Sequence, residues 1–260
     1  YEIPYGTTPV DLLLMFTRGK TIDHSLTLIE GWNIHQVLAA VKAHNGLVHT
    51  LNGLSPGVIM EKLGHLGEHP EGHFYPDTYN FPRGTTDTAF LERAYQRLKN
   101  VLDKQWAMRN KNLSLQSPYE ALILASIVEK ETGNTKERPM IAGVFIRRLA
   151  IGMRLQTDPT VIYGMGDAFT GNISRRDLAT DTPYNTYLHA GLPPTPISMP
   201  GKAAINAVLH PATSKALYFV AKGNGSHYFS ATLEEHNIAV RRFQIKKRRK
   251  GTIHNSTRPP

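Results

Sequence analysis

A long hydrophobic run lies within residues 117–132, in the segment S-P-Y-E-A-L-I-L-A-S-I-V-E-K-E-T. Ser117 suits the N-cap of a helix, and Glu120, three residues later, completes a capping box. From residue 121 to 128 every residue except Ser126 is apolar, which is typical of a helix that is buried all round. The pattern therefore predicts a helix that runs through the middle of the core.

The same helix ends in a polar segment, E-K-E-T, and Gly133 is expected to end it in a left-handed conformation. Glu129 shares a helix face with small and apolar residues, whereas Glu131 lies about 200° further round and must point elsewhere. If Glu129 opens into a cleft, the loss of water around it would raise its pKa and suit a general acid. The alternative is that both glutamates are the polar exit of a core helix, paired with Arg147 or Arg148.

Periodicity and end signals in the rest of the chain predict a mostly helical α+β fold with small β elements. Helices are predicted over residues 8–18, 33–42, 55–63, 85–111, from a capping box of Asn134 and Glu137 to Gly152, after Asp158, after Ser174, over 204–209, and after a cap formed by Thr232 and Glu235. Strands are predicted over residues 1–4, 25–29, 217–221 and 227–230, the last two joined as a hairpin at G-N-G.

Two segments lack a regular period. Residues 71–81 mix aromatic residues, a proline and two acids, and predict an ordered loop. Residues 182–200 contain five prolines together with Tyr, Asn and His, which predicts a stiff loop that could form the wall of a binding cleft.

Composition and charge place few further limits on function. The 260 residues are 40% hydrophobic, and no apolar run is long enough to span a bilayer, which predicts a soluble chain. The net charge is +9, of which the run K-K-R-R-K at residues 246–250 supplies five charges, so the tail at 246–260 is predicted to be a solvated terminus. Because the sequence starts at Tyr1 rather than Met, we expect an upstream segment able to carry a signal or an anchor.

Several classes of chemistry have no matching pattern. The absence of cysteine excludes disulfides, thiolate metal sites and cysteine nucleophiles. The twelve histidines lack the spacing of a zinc hydrolase, and there is no phosphate-binding glycine loop and no nucleophile elbow. We therefore predict no metal and no cofactor. Acid chemistry combined with polar and aromatic recognition remains, and that combination suits a glycan.

A glycosidase usually needs two carboxylates, and Asp158 and Asp77 are the nearest partners for Glu129. Asp158 also has a structural interpretation, as the N-cap of a helix. One acid suffices if the sugar supplies its own nucleophile. The C6 hydroxyl of a muramic acid unit can attack C1 of the same ring, so a single glutamate could act first as acid and then as base, and the product would be a 1,6-anhydro sugar.

Five runs closely resemble the YceG-like family of endolytic murein transglycosylases: L-A-S-I-V-E-K-E-T (124–132), R-L-A-I-G-M-R-L-Q-T-D-P-T-V-I-Y-G-M-G (148–166), P-Y-N-T-Y (183–187), G-L-P-P-T-P-I (191–197) and E-G-H-F-Y-P-D-T-Y (71–79). The resemblance covers roughly residues 25–243. It implies a lyase that cuts between N-acetylmuramic acid and N-acetylglucosamine in nascent peptidoglycan strands and so terminates their elongation, with Glu129 as the catalytic acid.

The resemblance also implies a domain organisation and a setting. Residues 1–27 would be the end of a LysM-like subdomain, and residues 28–245 the catalytic domain, with a helical part at 32–115 and an active-site core at 116–245. An inner-membrane anchor, absent from this chain, would place the catalytic domain in the periplasm beside peptidoglycan synthases. No nucleic-acid partner is implied.

For the substrate cleft we predict six residues whose side chains can stack on sugars or bond their hydroxyl and acetamido groups. They are Gln156, Asp158, Tyr184, Asn185, Tyr187 and His227. The structural alternatives are core packing for the tyrosines and turn formation for Asn185. At the level of the whole protein the alternatives are a non-catalytic peptidoglycan-binding scaffold and a nucleic-acid-binding protein that uses the basic tail.

Overall fold

The computed structural model describes residues 3, 5–17 and 23–245. Within them, ten α-helices and four short strands form an α+β fold, as predicted. In chain order the elements are α1 (Pro9–Thr17), β1 (Asp23–Thr27), α2 (Ile34–Ala43), α3 (Pro56–Lys62), β2 (Thr78–Pro82), α4 (Asp87–Ala107), α5 (Pro118–Glu131), α6 (Arg138–Ala150), α7 (Asp158–Met165), α8 (Arg175–Ala179), α9 (Lys202–Leu209), β3 (Tyr218–Ala221), β4 (His227–Ser230) and α10 (Leu233–Val240). A 3-10 turn (Gly166–Ala168) follows α7, and a π-helical turn (Arg241–Ile245) follows α10.

The strands form two antiparallel pairs. β3 and β4 make the predicted hairpin, with Tyr218 opposite Ser230. β1 pairs with β2, which lies inside the segment predicted as an irregular loop. That prediction was wrong at its end, because Tyr79 and Phe81 are buried while their neighbours are exposed, the alternation of a strand with one buried face.

Three predictions fall at the edges of the described part. The strand predicted at residues 1–4 lies outside the described residues except for Ile3, and the basic tail at 246–260 lies outside them entirely. The predicted boundary at residue 27 assigns β1 to a LysM-like remnant, but β1 hydrogen-bonds to β2 of the main body. The domain division itself stays a prediction.

The buried apolar residues form two clusters. One contains α2, α3, β2 and the first half of α4, and the other contains the second half of α4 with α5, α6 and α9. α5 is at the centre of the second cluster, and all its residues from 121 to 128 are buried, as the apolar run predicts. α4 belongs to both clusters and joins them.

The ends of α5 are set by its capping groups. The Ser117 side chain accepts a hydrogen bond from the Glu120 amide, as predicted, but the Glu120 carboxylate bonds the amide of Gln116 rather than closing the box on Ser117. The predicted left-handed Gly133 is wrong. Thr132 already leaves the helix with an extended backbone, at φ −147° and ψ 132°.

Two other predicted caps are wrong because the side chains bind elsewhere. α6 begins after Glu137 without a side-chain cap, and the Glu137 carboxylate bonds His227 instead. α7 begins after Thr157, so Asp158 is its first residue and not its N-cap, and the Asp158 carboxylate accepts a bond from Tyr187. In both cases a carboxylate that could cap a helix locally forms a hydrogen bond with a residue distant in sequence.

The proline-rich loop at 182–200 contains no helix or strand, as predicted, and it is fixed against α5. The hydroxyl of Ser126, the polar residue inside the apolar run, accepts the amide of Ile197 at 2.9 Å, and the Ser198 hydroxyl donates to the Ser126 carbonyl at 3.1 Å. The side chain that interrupts the hydrophobic pattern therefore anchors the loop to the central helix.

Among the described residues, no helix combines the length and the apolar character needed to cross a membrane.

Candidate active site

The two glutamates at the end of α5 face different surroundings. Glu129 is enclosed: its side chain is 5% exposed, Oε1 accepts from Arg138 Nη2 at 2.6 Å, and Oε2 accepts from the Gly201 amide at 3.0 Å. Gly201 is the N-cap of α9, so the carboxylate sits at a helix N-terminus, where negative charge is stabilised. Arg138, rather than the expected Arg147 or Arg148, is the partner.

Burial raises the pKa of Glu129, and the Gly201 amide and the Arg138 guanidinium oppose that rise. Both carboxylate oxygens are thus engaged by protein donors that favour the charged form. This arrangement fixes the junction between α5, α6 and α9.

Glu131 lies in a cavity of about 430 Å³. The cavity is formed by the end of α5, the start of α7, the Tyr187 region of the proline-rich loop, and the hairpin with α10. Its polar and aromatic lining residues are Glu131, Arg148, Gln156, Thr157, Asp158, Tyr187, Tyr218, Phe219, His227, His236 and Gln244. Four of the six residues predicted to bind substrate are among them.

Burial also raises the pKa of Glu131, while the Thr157 hydroxyl, which donates to Oε2 at 2.6 Å, lowers it. The nearby Asp158 raises this pKa further, and His227 and Arg148 lower it. No hydrogen bond to the second oxygen, Oε1, is found among the described residues. Glu131 therefore combines the properties of a general acid: a raised pKa, a fixed orientation and a place in a cavity.

Two predicted residues shape the cavity wall next to Glu131. The Tyr187 hydroxyl donates to Asp158 Oδ1 at 2.6 Å, which ties the proline-rich loop to the start of α7. Gln156 has φ 50°, the only non-glycine residue of the described chain in the left-handed region. Backbone strain of this kind collects at functional sites because the surroundings must maintain it.

Tyr184 and Asn185 lie outside the cavity. The Tyr184 hydroxyl bonds the Thr195 hydroxyl at 2.8 Å, and its ring packs edge to face on Tyr163. Asn185 is fully buried, and its amide group donates to the carbonyls of Leu178 and Thr180. Its Oδ1 accepts the Tyr187 amide at 3.0 Å, so Asn185 holds the loop that carries Tyr187.

A model of the YceG-like family matches residues 1–242 of this sequence. The chain belongs to the YceG-like family. An endolytic murein transglycosylase of Bacillus subtilis is 38% identical over 267 aligned residues, which cover 96% of this chain and 74% of that protein. A protein of the same name from Streptococcus pneumoniae is 34% identical over 176 residues, covering 65% of this chain and 31% of the relative.

A crystal structure of a YceG-like protein from Listeria monocytogenes has a similar fold. It superposes with a TM-score of 0.67 at 32% identity, and the match covers 92% of this chain and 83% of the other. Family and fold thus agree with the resemblance that the sequence motifs indicate.

Three further residues that line the cavity, Arg148, Tyr218 and His236, were not predicted to bind substrate. Arg148 is buried and donates to the carbonyls of Leu155 and Leu217, which joins α6 to the cavity wall. The rings of Tyr218 and His236 stack with their centroids 5.2 Å apart. The helical angle that separates Glu129 from Glu131 was the one signal in the sequence that the two acids differ.

A third buried carboxyl, Glu71, links the two clusters. Its oxygens accept the Ile34 amide at 3.1 Å, and Oε2 accepts the Tyr163 hydroxyl of α7 at 3.0 Å. Burial raises its pKa to about 7. Gly72 beside it has φ 83°, and a Cβ there would meet Pro196, so the E-G pair packs directly on the proline-rich loop.

Within the described chain, no group of three or more histidine, aspartate or glutamate side chains is arranged to hold a metal ion.

Proposed function

We propose that this chain is an endolytic lytic transglycosylase of peptidoglycan. It would cleave the bond between N-acetylmuramic acid and N-acetylglucosamine inside glycan strands and leave 1,6-anhydro ends. Family membership and the names of the relatives support the reaction class. The observation that carries the proposal is a cavity of about 430 Å³ with one buried glutamate, Glu131, among tyrosines, an amide and histidines.

We propose Glu131 as the general acid. Burial raises its pKa and so favours the protonated form, which can donate to the leaving oxygen, and the resulting carboxylate can then accept a proton. Glu129, the acid predicted from the resemblance, stays the alternative. The geometry favours Glu131 because both oxygens of Glu129 already accept protein hydrogen bonds, and Glu129 does not line the cavity.

The neighbouring residues have separable roles in this proposal. Tyr187 and Gln156 would contact the sugar, since Tyr187 is half-buried and Gln156 is exposed at the cavity. Asp158 would orient Tyr187 through their 2.6 Å hydrogen bond. Tyr184 and Asn185 would support the loop from behind.

A second candidate function is hydrolysis. Asp158 lines the same cavity as Glu131 and could activate water as the second carboxylate of a hydrolase. Its Oδ1 accepts the Tyr187 hydroxyl, which makes it the less suitable base. A hydrolase would give reducing ends instead of anhydro ends.

The setting of the enzyme is also a proposal, taken from the resemblance. It comprises nascent strands as substrate, a LysM-like subdomain that includes residues 1–27, a single-pass inner-membrane anchor with the catalytic domain in the periplasm, and synthases as partners.

The test is mass spectrometry of the products released from uncrosslinked glycan strands by the unmutated chain, Glu131→Gln and Glu129→Gln. We expect anhydro ends from the unmutated chain, a reduced yield from Glu129→Gln, and a loss of about 10²–10⁴-fold for Glu131→Gln, the usual contribution of general acid catalysis. Circular dichroism checks that each variant is folded.

Each other outcome is informative. Full activity of Glu131→Gln together with a folded, inactive Glu129→Gln would identify Glu129 as the general acid. Reducing ends would establish the hydrolase. Binding to sacculi with no product from the unmutated chain would support the scaffold alternative.

A further inference from the structure

His227 and Glu137 form a buried dyad at the edge of the cavity. His227 begins β4, and Glu137 immediately precedes α6, 90 positions away in sequence. The Glu137 carboxylate accepts the His227 backbone amide at 3.1 Å, and its Oε2 lies 2.8 Å from Nδ1 of the ring. The two side chains are only 12% and 17% exposed.

The carboxylate determines which nitrogen of the ring carries the proton. Ionised Glu137 can only accept, so Nδ1 must be the N–H donor, and the lone pair of the neutral ring is then on Nε2. No described residue hydrogen-bonds Nε2, and His227 lines the cavity. Phe219 contacts the ring edge to face at 5.5 Å and Phe229 lies at 6.4 Å, which holds the ring in place.

This arrangement meets the requirements of a general base. The ring is oriented by one carboxylate, contacts two aromatic rings, and lines the same cavity as Glu131, and its second nitrogen has no hydrogen-bond partner among the described residues. In a 1,6-anhydro sugar, O6 occupies the face of C1 that the leaving oxygen has vacated. The acid and the base must therefore lie on the same side of the sugar, which two residues of one cavity wall can satisfy.

We propose that His227 is the base that removes the proton from the C6 hydroxyl, with Glu137 as its positioning residue. The inference rests on the proposed transglycosylase function and deepens it. In place of one glutamate that acts first as acid and then as base, Glu131 would be the acid and His227 the base.

The step balances without any co-reactant. Glu131 gives its proton to the leaving oxygen as the bond between C1 and that oxygen breaks. The bond between C1 and O6 forms as the O6 proton moves to Nε2. The imidazolium then returns this proton to the Glu131 carboxylate, directly or through water, and both groups regain their starting states.

The pH dependence of this step involves every charged or titratable group that faces His227. They are Glu137, which precedes α6, Arg148 of α6, Glu131 of α5, Asp158 of α7, Tyr187 of the proline-rich loop, Tyr218 of β3 and His236 of α10.

The test is the pH profile of kcat and KM on glycan strands of defined length for the unmutated chain, His227→Gln and Glu137→Gln. For His227→Gln we expect kcat to fall about 10²-fold or more with KM unchanged, and the acidic limb of the profile to disappear. For Glu137→Gln we expect kcat to fall about 10–100-fold, because the ring loses the carboxylate that fixes its tautomer and orientation. A merely structural role would leave the limb in place.

His189→Gln is the matched control. His189 also pairs with a carboxylate, Asp181, at 2.6 Å, but both side chains are exposed and neither lines the cavity. It should keep the kcat of the unmutated chain.

A second variant, His227→Ala, keeps the proposal testable if His227→Gln does not fold. His227→Ala leaves space for free imidazole, and partial recovery of kcat with added imidazole would support the base role even if the variant is less stable. A higher KM at unchanged kcat, or an unaltered pH profile in His227→Gln, would overturn the proposal. Absence of anhydro ends from the unmutated chain would instead refute the proposed function, so the two failures are distinguishable.

Discussion

Glu129 and Glu131 are two residues apart on one helix, yet their carboxyl groups have different hydrogen-bond partners. Glu129 meets a buried arginine and a helix N-terminus, so both its oxygens are bonded within the protein. Glu131 meets a single threonine hydroxyl and a cavity. Burial raises the pKa of both carboxyls. What separates them is a directly bonded cation: Arg138 pairs with Glu129, whereas the one described hydrogen bond to Glu131 comes from the neutral Thr157 hydroxyl.

The comparison shows that burial alone does not identify a catalytic acid. Breaking a buried ion pair between a carboxylate and an arginine costs several kcal/mol, and the arginine favours the ionised form of the carboxyl group. A buried carboxyl whose hydrogen-bond donor is neutral keeps its proton to higher pH than one bonded to an arginine, and its free oxygen can meet a substrate.

The largest expected effect on stability comes from breaking the ion pair between Arg138 and Glu129. Arg138→Met should lower the free energy of unfolding by about 3–5 kcal/mol, because it leaves Glu129 buried without its partner. Urea denaturation at neutral pH measures this loss.

The double variant Glu129→Leu/Arg138→Met should recover most of that loss, since no lone charge remains. Arg83→Met, an exposed arginine, is the control. A loss below about 1 kcal/mol for Arg138→Met would mean that the pair is no structural anchor.

A smaller effect comes from Glu71, which is buried with neutral donors only. Its folded-state pKa is about 7, well above the value of 4.5 of an exposed glutamate. Between these values the folded state holds the proton and the unfolded state does not, so stability is complete below pH 4.5 and falls as pH rises towards 7. The fall should be about 3 kcal/mol.

Glu71→Gln should remove this pH dependence. We would compare urea midpoints of the two proteins at pH 5 and pH 8, with the exposed Glu61→Gln as control. Parallel curves for the unmutated chain and Glu71→Gln would show that Glu71 is ionised in the folded protein.

The smallest expected effect is a change in the pKa of Glu131. The Thr157 hydroxyl lowers the pKa of Glu131 by donating to its charged form, so Thr157→Val should raise that pKa. The alkaline limb of the activity profile, which reports loss of the acid's proton, should move to higher pH.

Thr160→Val is the matched control, because Thr160 is buried and bonds Thr157 and Thr186 but not Glu131. An unmoved alkaline limb in Thr157→Val would mean that the titrating acid is a different group.

Local signals predicted the regular elements well. The caps at Ser174 and Thr232 form the expected capping boxes, and the apolar run of α5 gives a helix buried from residue 121 to 128. Such signals succeed because a cap and its helix, or a hairpin and its turn, interact within a few residues of one another. The glutamates of α5 were predicted to diverge for the same reason.

Predictions failed where a side chain had a choice between a local and a distant partner. Glu137 and Asp158 have the spacing of capping residues, but they bond His227 and Tyr187 instead. Asn185 was predicted for the cleft and is buried behind it.

The sequence by itself determined the α+β class, the family, the central helix and four of the residues that line the cavity. Only the tertiary structure decided which glutamate of α5 is closed by an ion pair and which one opens into the cavity. Arg138, Gly201, Thr157 and His227 come from four separate segments. Helical geometry fixes the angle between two side chains, but the charge and solvent that each one meets depend on the elements packed against it.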